Sequence, residues 1–251
     1  MAKTLGGTMF VYNAISQDYC MDEAIQCLKE FTDEVILLDA GSTDGTAERL
    51  KLFEDKKTKV ILLNNEEWHS QHGAEKLNYF TNKAFEHLTT EYNFYLQADE
   101  ILHEKSYKKV REVIELGHEG YMVKRINLWG SPYTQLNVEH SRNPCSYEVI
   151  RLAKSYCKSV GDAESIDAQC VLDFVEDIRI YHMGFVRFRD IMKQKTIHIQ
   201  RDIFGMTPDV KLDGSEIFQP YKWFDKIKDL VPIDEPLPKL IQQWSKERVY
   251  E

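Results

Sequence analysis

The chain has 251 residues, 43% hydrophobic and 12% aromatic, which suits one large globular domain with an appendage and excludes a disordered chain. Lys and Arg total 32 against 41 Asp and Glu, a net charge of −9. That balance excludes a histone-like role, because neutralising phosphates requires surplus cations. The cysteines (Cys20, Cys27, Cys145, Cys157 and Cys170) form no C-x-x-C pair and are odd in number, so they read as reduced thiols. The opening MAKTLGGTMFVYNAIS lacks the apolar core of a signal peptide, and charges interrupt every apolar run short of a membrane span. A soluble, cytoplasmic protein is expected.

The first hundred residues alternate strand-like and helix-like segments. Thr8–Tyr12 reads as a strand, and Met21–Phe31 as a helix with Ala24, Cys27, Leu28 and Phe31 on one face. Glu34–Asp39, EVILLD, is a short continuous apolar run typical of a strand buried on both faces. AGSTDGT then forms a loop, with Thr46 placed to cap a helix carrying Ala47, Leu50 and Phe53. Val60–Leu63 is the third strand. A long amphipathic helix follows through Leu77, Phe80, Ala84, Phe85 and Leu88, and Asn93–Ala98 is the fourth strand. This rhythm implies a mostly parallel, Rossmann-like sheet flanked by helices, with ligands beyond the carboxyl ends of its strands.

The second half is more mixed. Ser106–Leu116 reads as a helix, Tyr121–Leu128, Tyr147–Leu152 and Ile178–His182 as strands, and Asp190–Arg201 as a helix. The organisation is therefore a domain over 1–205, divided into a nucleotide-binding half (1–102) and an acceptor half (103–205). Residues 206–251, rich in Pro and Trp, form a C-terminal extension wrapped on the domain or contacting another copy.

Two stretches carry candidate chemistry. DAGSTDGT lacks the phosphate-loop and G-x-G-x-x-G patterns. Gly41 and Gly45 permit positive φ there, and Asp39 at the strand end suits a ribose hydroxyl. FYLQADEIL closes an apolar strand on two adjacent carboxylates, Asp99 and Glu100. Burying carboxylates costs several kcal/mol unless a cation or hydrogen-bond donors compensate. Asp39 and Asp99 end two strands of one sheet and are expected to face one crevice.

Together with TMFVYN and EVILLDAGSTDGT, the acid pair resembles glycosyltransferase family 2, the inverting nucleotide-sugar transferases of the GT-A fold. GYMVKRINLWG, YEVIRL and IYHMGFVR resemble the later strands of a bacterial and phage subgroup, so that the likeness spans roughly residues 7–200. The resemblance implies transfer of a hexose or pentose from a nucleoside diphosphate, UDP being favoured, to an acceptor hydroxyl. It places Val11, Tyr12 and Asn13 at the base and Asp39 at the base or ribose. Gly41, Ser42, Gln97 and Ala98 complete that surface. Asp99 and His182 would hold a divalent cation, Mn²⁺ or Mg²⁺, on the diphosphate. Gln97 stands where the family's D-x-D has its first acid, so one oxygen donor is neutral. Glu100 is expected to contact the sugar or the acceptor.

Arg187, Arg189, Lys193, Lys195 and Arg201 form a basic strip, read either as a solvated helix face or as a cationic lid over the diphosphate. Gln71 and Lys76, near the start of the long helix, either meet the donor or merely cap it. Inversion requires a base for the acceptor hydroxyl: Asp162 in SVGDAESID is the first candidate, with Glu164 and Glu148 in reserve. The acceptor is a glycan, a small molecule or a protein, with a modified nucleic-acid base less favoured, and a homo-oligomer remains open. Two other functions remain: a non-catalytic nucleotide-sugar-binding protein, which Gln97 favours, and a sugar nucleotidyltransferase, which the missing Gly-rich basic loop after the first strand disfavours.

Overall fold

A computed structural model describes residues 2–73, 75–137, 147–205, 230–246 and 248. In chain order the first half contains β1 (Leu5–Val11), α1 (Met21–Phe31), β2 (Glu34–Asp39), α2 (Thr46–Lys51), β3 (Thr58–Leu62), α3 (Asn65–Ser70), α4 (Glu75–Phe85), β4 (Tyr92–Tyr95) and β5 (Glu100–Leu102). The second half contains α5 (Tyr107–Ile114), β6 (Gly120–Trp129), β7 (Ser131–Leu136), β8 (Glu148–Lys154), β9 (Ser159–Val160), β10 (Ser165–Ile166) and β11 (Val171–Phe185). There follow α6 (Arg189–Ile197), continued by a π-helical turn His198–Ile203, then β12 (Leu230–Pro232) and α7 (Lys239–Ser245).

The alternation of side chains across β1 and β2 builds a layer on each face of the sheet. Met9, Val11, Val35 and Leu37 pack with Ala24, Ile25 and Leu28 of α1. Their neighbours Phe10, Ile36 and Leu38 pack with Phe80 and Ala84 of α4 and with Trp68 of α3. A helix on each face requires β1, β2 and β4 to run parallel, and they do, in the order β3-β2-β1-β4. Chain order reverses at β1, and a crevice opens there at the carboxyl ends of the strands.

Beyond β4 the sheet becomes mixed. β8 pairs antiparallel with β4, and β6 antiparallel with β8. β11 runs parallel to β6 and antiparallel to β5, setting His182 opposite Glu100 on one side and Asn127 on the other. β11 is far longer than the expected Ile178–His182 because it bridges two partners, with register shifts along β6.

Thr46 does not cap α2. Gly45 precedes the helix at φ 93°, and the Asp44 carboxylate accepts from Thr46 N–H at 3.1 Å and from its hydroxyl at 2.6 Å. Of the extension, 206–229 lies outside the described residues. The described part packs on the domain: β12 pairs with β7, Ile241 of α7 joins the α1 core, and Arg248 makes two hydrogen bonds with Asp18 at 2.5 and 2.7 Å. Cys20, Cys27, Cys157 and Cys170 are free thiols, and Cys145 lies outside the described residues. Among the described residues no helix is long and apolar enough to cross a membrane.

Gly41 adopts φ +90°, and a Cβ there would lie 2.5 Å from the backbone N and Cα of Asn65, whose amide donates to Gly41 O at 2.7 Å. Gly41→Ala should cost more than about 1–2 kcal/mol, since the left-handed penalty is joined by a clash with main chain. Urea unfolding measures this directly; an unchanged midpoint would mean that the loop yields without cost.

Candidate active site

The site is built at the corner between β4 and β5. Leu96 N–H donates to Thr8 O, the chain then turns, and Glu100 N–H donates back to Gln97 O at 3.0 Å. Asp99 sits on this corner, 5% exposed. β11 passes alongside, and Met183 N–H donates to Asp99 O at 2.7 Å. His182 Nε2 consequently faces Asp99 Oδ1 at 3.8 Å. The other ring nitrogen, Nδ1, donates to Asn127 Oδ1 at 3.0 Å, which leaves Nε2 as the lone-pair nitrogen. Burial, with help from Arg125 and Lys195, lowers the imidazole to about 4 against the pull of Asp99. Gly184 is a spatial requirement here, because a Cβ would fall 2.4 Å from His182 Nε2.

The second Asp99 oxygen, Oδ2, accepts from Arg187 Nη2 and Lys195 Nζ, each at 3.1 Å. Burial would raise this carboxyl, but Lys195, His182 and Arg187 outweigh it and hold the group well below the usual carboxylate range. Tyr19 lies against both cations, 4.5 Å from the guanidinium and 5.1 Å from the ammonium.

Glu100 does not face substrate. It is wholly buried and accepts from Arg151 Nε at 2.9 Å and Nη2 at 2.8 Å, with Arg125 Nη1 at 3.4 Å. The remaining Arg151 nitrogen donates to the carbonyls of Ala163 and Glu164 at 3.2 and 2.9 Å. Glu100 also accepts from Gln97 N–H at 3.0 Å. One ion pair thus holds two loops, 97–99 and 162–164, at a set separation. Ala163, at φ 64°, is kept in the left-handed region by these contacts.

A cavity of about 260 Å³ lies above the corner. Its floor includes Val11, Tyr12, Gln97, Ala98, Asp99 and His182, one wall carries Asp162 and Glu164, and Lys195 and His198 close it from α6 and the turn beyond. Several expected donor residues stand outside this lining. Asn13 and Ser42 knit two loops together: Ser42 Oγ accepts from Asn13 N–H, and Asn13 Oδ1 accepts from Thr43 N–H, both at 2.8 Å. Gly41 is a turn residue. Gln71 follows α3 and bonds Ser70 Oγ, while the Lys76 ammonium lies 4.3 Å over Trp68, which stacks on Tyr12 at 3.9 Å. Arg187 is directed to main-chain carbonyls and Asp99. Glu148 is exposed at the start of β8, since strand alternation turns it away from the cavity.

Asp39 stands beside Val11 in register but, contrary to the expected shared crevice with Asp99, is not among the residues lining the cavity. Its Oδ2 accepts from the N–H groups of Gly41 and Ser42, while Oδ1 is buried with no hydrogen-bond partner among the described residues. Burial raises this carboxyl. Glu164 is engaged by Arg125 Nη2 at 2.7 Å; burial opposes ionisation, but Arg125 and Arg151 bring its pKa below the usual value. Asp162 is half-buried and makes no side-chain hydrogen bond or ion pair among the described residues.

Asp99 and His182 suit a divalent cation as a pair. One oxygen and one neutral imidazole nitrogen, 3.8 Å apart, can both be reached by bonds of about 2.1 Å. Among the described residues there is no group of three or more such ligands, so the other positions would fall to water and substrate phosphates, as is usual for Mg²⁺. Arg125, Arg151 and Tyr19 were not picked out from the sequence. The usable signal was an arginine inside each of two apolar strands, KRINLW and YEVIRL, since a buried arginine must have a partner.

Arg151→Met should destabilise the chain by about 3–5 kcal/mol in urea unfolding at neutral pH, because Glu100 is left buried and less compensated. Arg151→Lys should recover part of this and no more, as an ammonium cannot serve the carboxylate and both carbonyls together. Below neutrality a second effect enters. Burial brings the His182 imidazole down to about 4 in the folded chain from the ordinary 6.5, so the unfolded chain binds the extra proton between them. Stability from neutral His182 is complete above pH 6.5 and lost as pH falls towards 4. Unfolding midpoints across that window should fall less steeply in His182→Gln than in the parent; equal slopes would remove His182 as the cause.

Known proteins are similar to this chain. The model of the family described as glycosyl transferase family 2 matches residues 9–134. The glycosyltransferase SunS of Bacillus phage SPbeta and the SPbeta prophage-derived glycosyltransferase SunS of Bacillus subtilis (strain 168) are each 22% identical over 207 residues. The match covers 80% of this chain and 45% of theirs, so the chain spans less than half the length of these curated relatives. Among solved structures, S. aureus TarS 1–349 aligns with a TM-score of 0.46 and 16% identity, covering 83% of this chain and 67% of that one. The same protein in complex with UDP-GlcNAc aligns at 0.47 with 15% identity, covering 83% and 68%. The family match takes in half of the chain, from β1 through the Asp99 corner to β7, and by it this chain belongs to glycosyl transferase family 2.

Proposed function

We propose that the chain transfers a sugar from a nucleoside diphosphate to an acceptor hydroxyl with inversion, assisted by a divalent cation. The observation that carries this reading is the cavity beyond the carboxyl ends of β1 and β4, where Asp99, His182 and Lys195 face Asp162 across one space. The base and ribose would lie over Val11 and Tyr12, near Asp39. The buried Asp39 Oδ1 needs a hydrogen-bond donor, which a ribose hydroxyl or the ring N–H of uracil offers. UDP, which carries both kinds of donor, is the nucleotide we favour on the family likeness. Asp99 and His182 would hold Mn²⁺ or Mg²⁺, which when bound neutralises charge on the leaving diphosphate.

The chain's own residues supply the rest. Asn127 fixes the tautomer of His182, and Arg151 fixes the loop that carries Asp162. Asp162 is our candidate base: it lines the cavity without a cationic partner among the described residues and can accept the acceptor's proton as attack proceeds. Glu164 is the weaker candidate, because an arginine-bound carboxylate with a lowered pKa is a poorer base. The acceptor would be a glycan, a small molecule or a protein. Gln97 favours a second reading, a nucleotide-sugar-binding protein without transfer.

A thermal-shift panel of UDP, GDP, CDP and dTDP with Mn²⁺, Mg²⁺ or chelator tests the donor site. UDP with metal should give the largest shift, several degrees at saturating ligand. Asp162→Asn should keep that shift and lose about 10²–10⁴-fold in donor turnover. Binding by the parent chain with no turnover of any nucleotide sugar would favour the second reading.

A further inference from the structure

Two cations hold Asp99 Oδ2, and their surroundings differ. Every nitrogen of Arg187 is committed: Nε to Gln17 O at 2.8 Å, Nη1 to Met183 O at 3.0 Å and Gly184 O at 2.5 Å, and Nη2 to Asp99. Its head lies against Tyr19 and its side chain is 1% exposed. Arg187 is a brace between the loop after β1 and the end of β11. Lys195 reaches the same oxygen from α6, the element that closes the cavity, and also donates to Gly184 O at 3.0 Å; unlike Arg187, its side chain lines that cavity. Its ammonium is a compact charge on a flexible stem, able to point at Asp99 Oδ2 or at an anion beside it.

Charge at this corner has a consequence for binding order. Asp99 contributes one negative charge, and Arg187 and Lys195 bring two positive charges to one of its oxygens. A bare divalent cation approaching Asp99 meets these two cations already in place. A diphosphate reverses this balance, provided one of the two side chains can turn towards it. Arg187 cannot do so without breaking four main-chain and side-chain contacts.

We infer that Lys195 is the diphosphate-binding cation of this site, parked on Asp99 in the free protein and exchanging that carboxylate for the phosphates when metal and nucleotide arrive together. The inference rests on the nucleotide-sugar reading above and deepens it. Lys195 then acts with opposite sign on the two ligands: it weakens metal binding to the free chain and strengthens nucleotide binding to the metal-loaded one. A residue needed only for packing would not separate them in this way.

The test uses Lys195→Met, which keeps the length of the stem against Tyr19 and removes the charge, and Lys195→Arg, which keeps the charge. Mn²⁺ binding without nucleotide is read from the free-ion electron paramagnetic resonance signal, and UDP binding at saturating Mn²⁺ by calorimetry. For Lys195→Met we expect Mn²⁺ to bind at least about tenfold tighter and UDP at least about tenfold weaker, as loss of a close like charge and of a close opposite charge require. Lys195→Arg should keep Mn²⁺ binding as weak as in the parent. Both affinities falling in Lys195→Met, or neither changing, would overturn the role given to Lys195 while leaving the donor site intact. If the parent chain binds none of UDP, GDP, CDP and dTDP with metal present, the nucleotide-sugar reading itself falls, and this inference with it.

Discussion

The bidentate pair between Glu100 and Arg151 is the constraint on which the site depends. Both side chains are wholly buried, and a buried pair of this kind contributes little net stability against an apolar replacement. What it contributes is position. Glu100 holds Gln97 N–H at the corner that presents Asp99, and Arg151 holds two carbonyls of the loop that presents Asp162. The two loops come from distant parts of the chain, and no continuous element connects them. A fixed separation between the Asp99 side and the Asp162 side of the cavity follows from this one pair, extended by Arg125 to Glu164.

Two adjacent carboxylates have opposite fates at this corner. Glu100 opens β5, which pairs with β11, and is enclosed by the arginines, while Asp99 lies in the turn just before it and lines the cavity. Each is compensated, but by different means. Glu100 has donors of fixed geometry, suited to a permanent contact. Asp99 has one fixed donor, Arg187, and one on a flexible stem, together with an imidazole whose lone pair faces it. That is an arrangement suited to exchanging partners.

The same economy of contacts is found around the N-terminal half. Asn13, Ser42 and Gly41 do not line the cavity, yet they join the loop after β1 to the loop after β2, and so set where Tyr12 and Asp39 sit. At the far side, Arg248 of the extension bonds Asp18 and lies 3.7 Å from Trp244. The loop after β1 is therefore held from three directions: by the β2 loop, by Arg187 at Gln17 and by the C-terminal segment.

Much of the N-terminal half was legible in the sequence. EVILLD and Met21–Phe31 have the observed bounds, because continuous apolarity and a helical stripe are local signals that packing on both faces of a parallel sheet then uses directly. Asp99 and His182 could be singled out because an acid and a histidine at strand ends are conspicuous against apolar runs, and the structure brings them together at the cavity. Asp162 was put before Glu148 only by its place in the family likeness, and it is the one of the two that lines the cavity. What tertiary structure alone decided is which charges meet. Lys195 and Asp99, or Arg151, Glu100 and the carbonyl of Ala163, are far apart in sequence and belong to segments whose local patterns are unremarkable. Their pairing depends on β11 lying between β5 and β6, a long-range register that no local periodicity encodes, and in a buried site that register decides which carboxylate is enclosed by arginines and which faces the cavity.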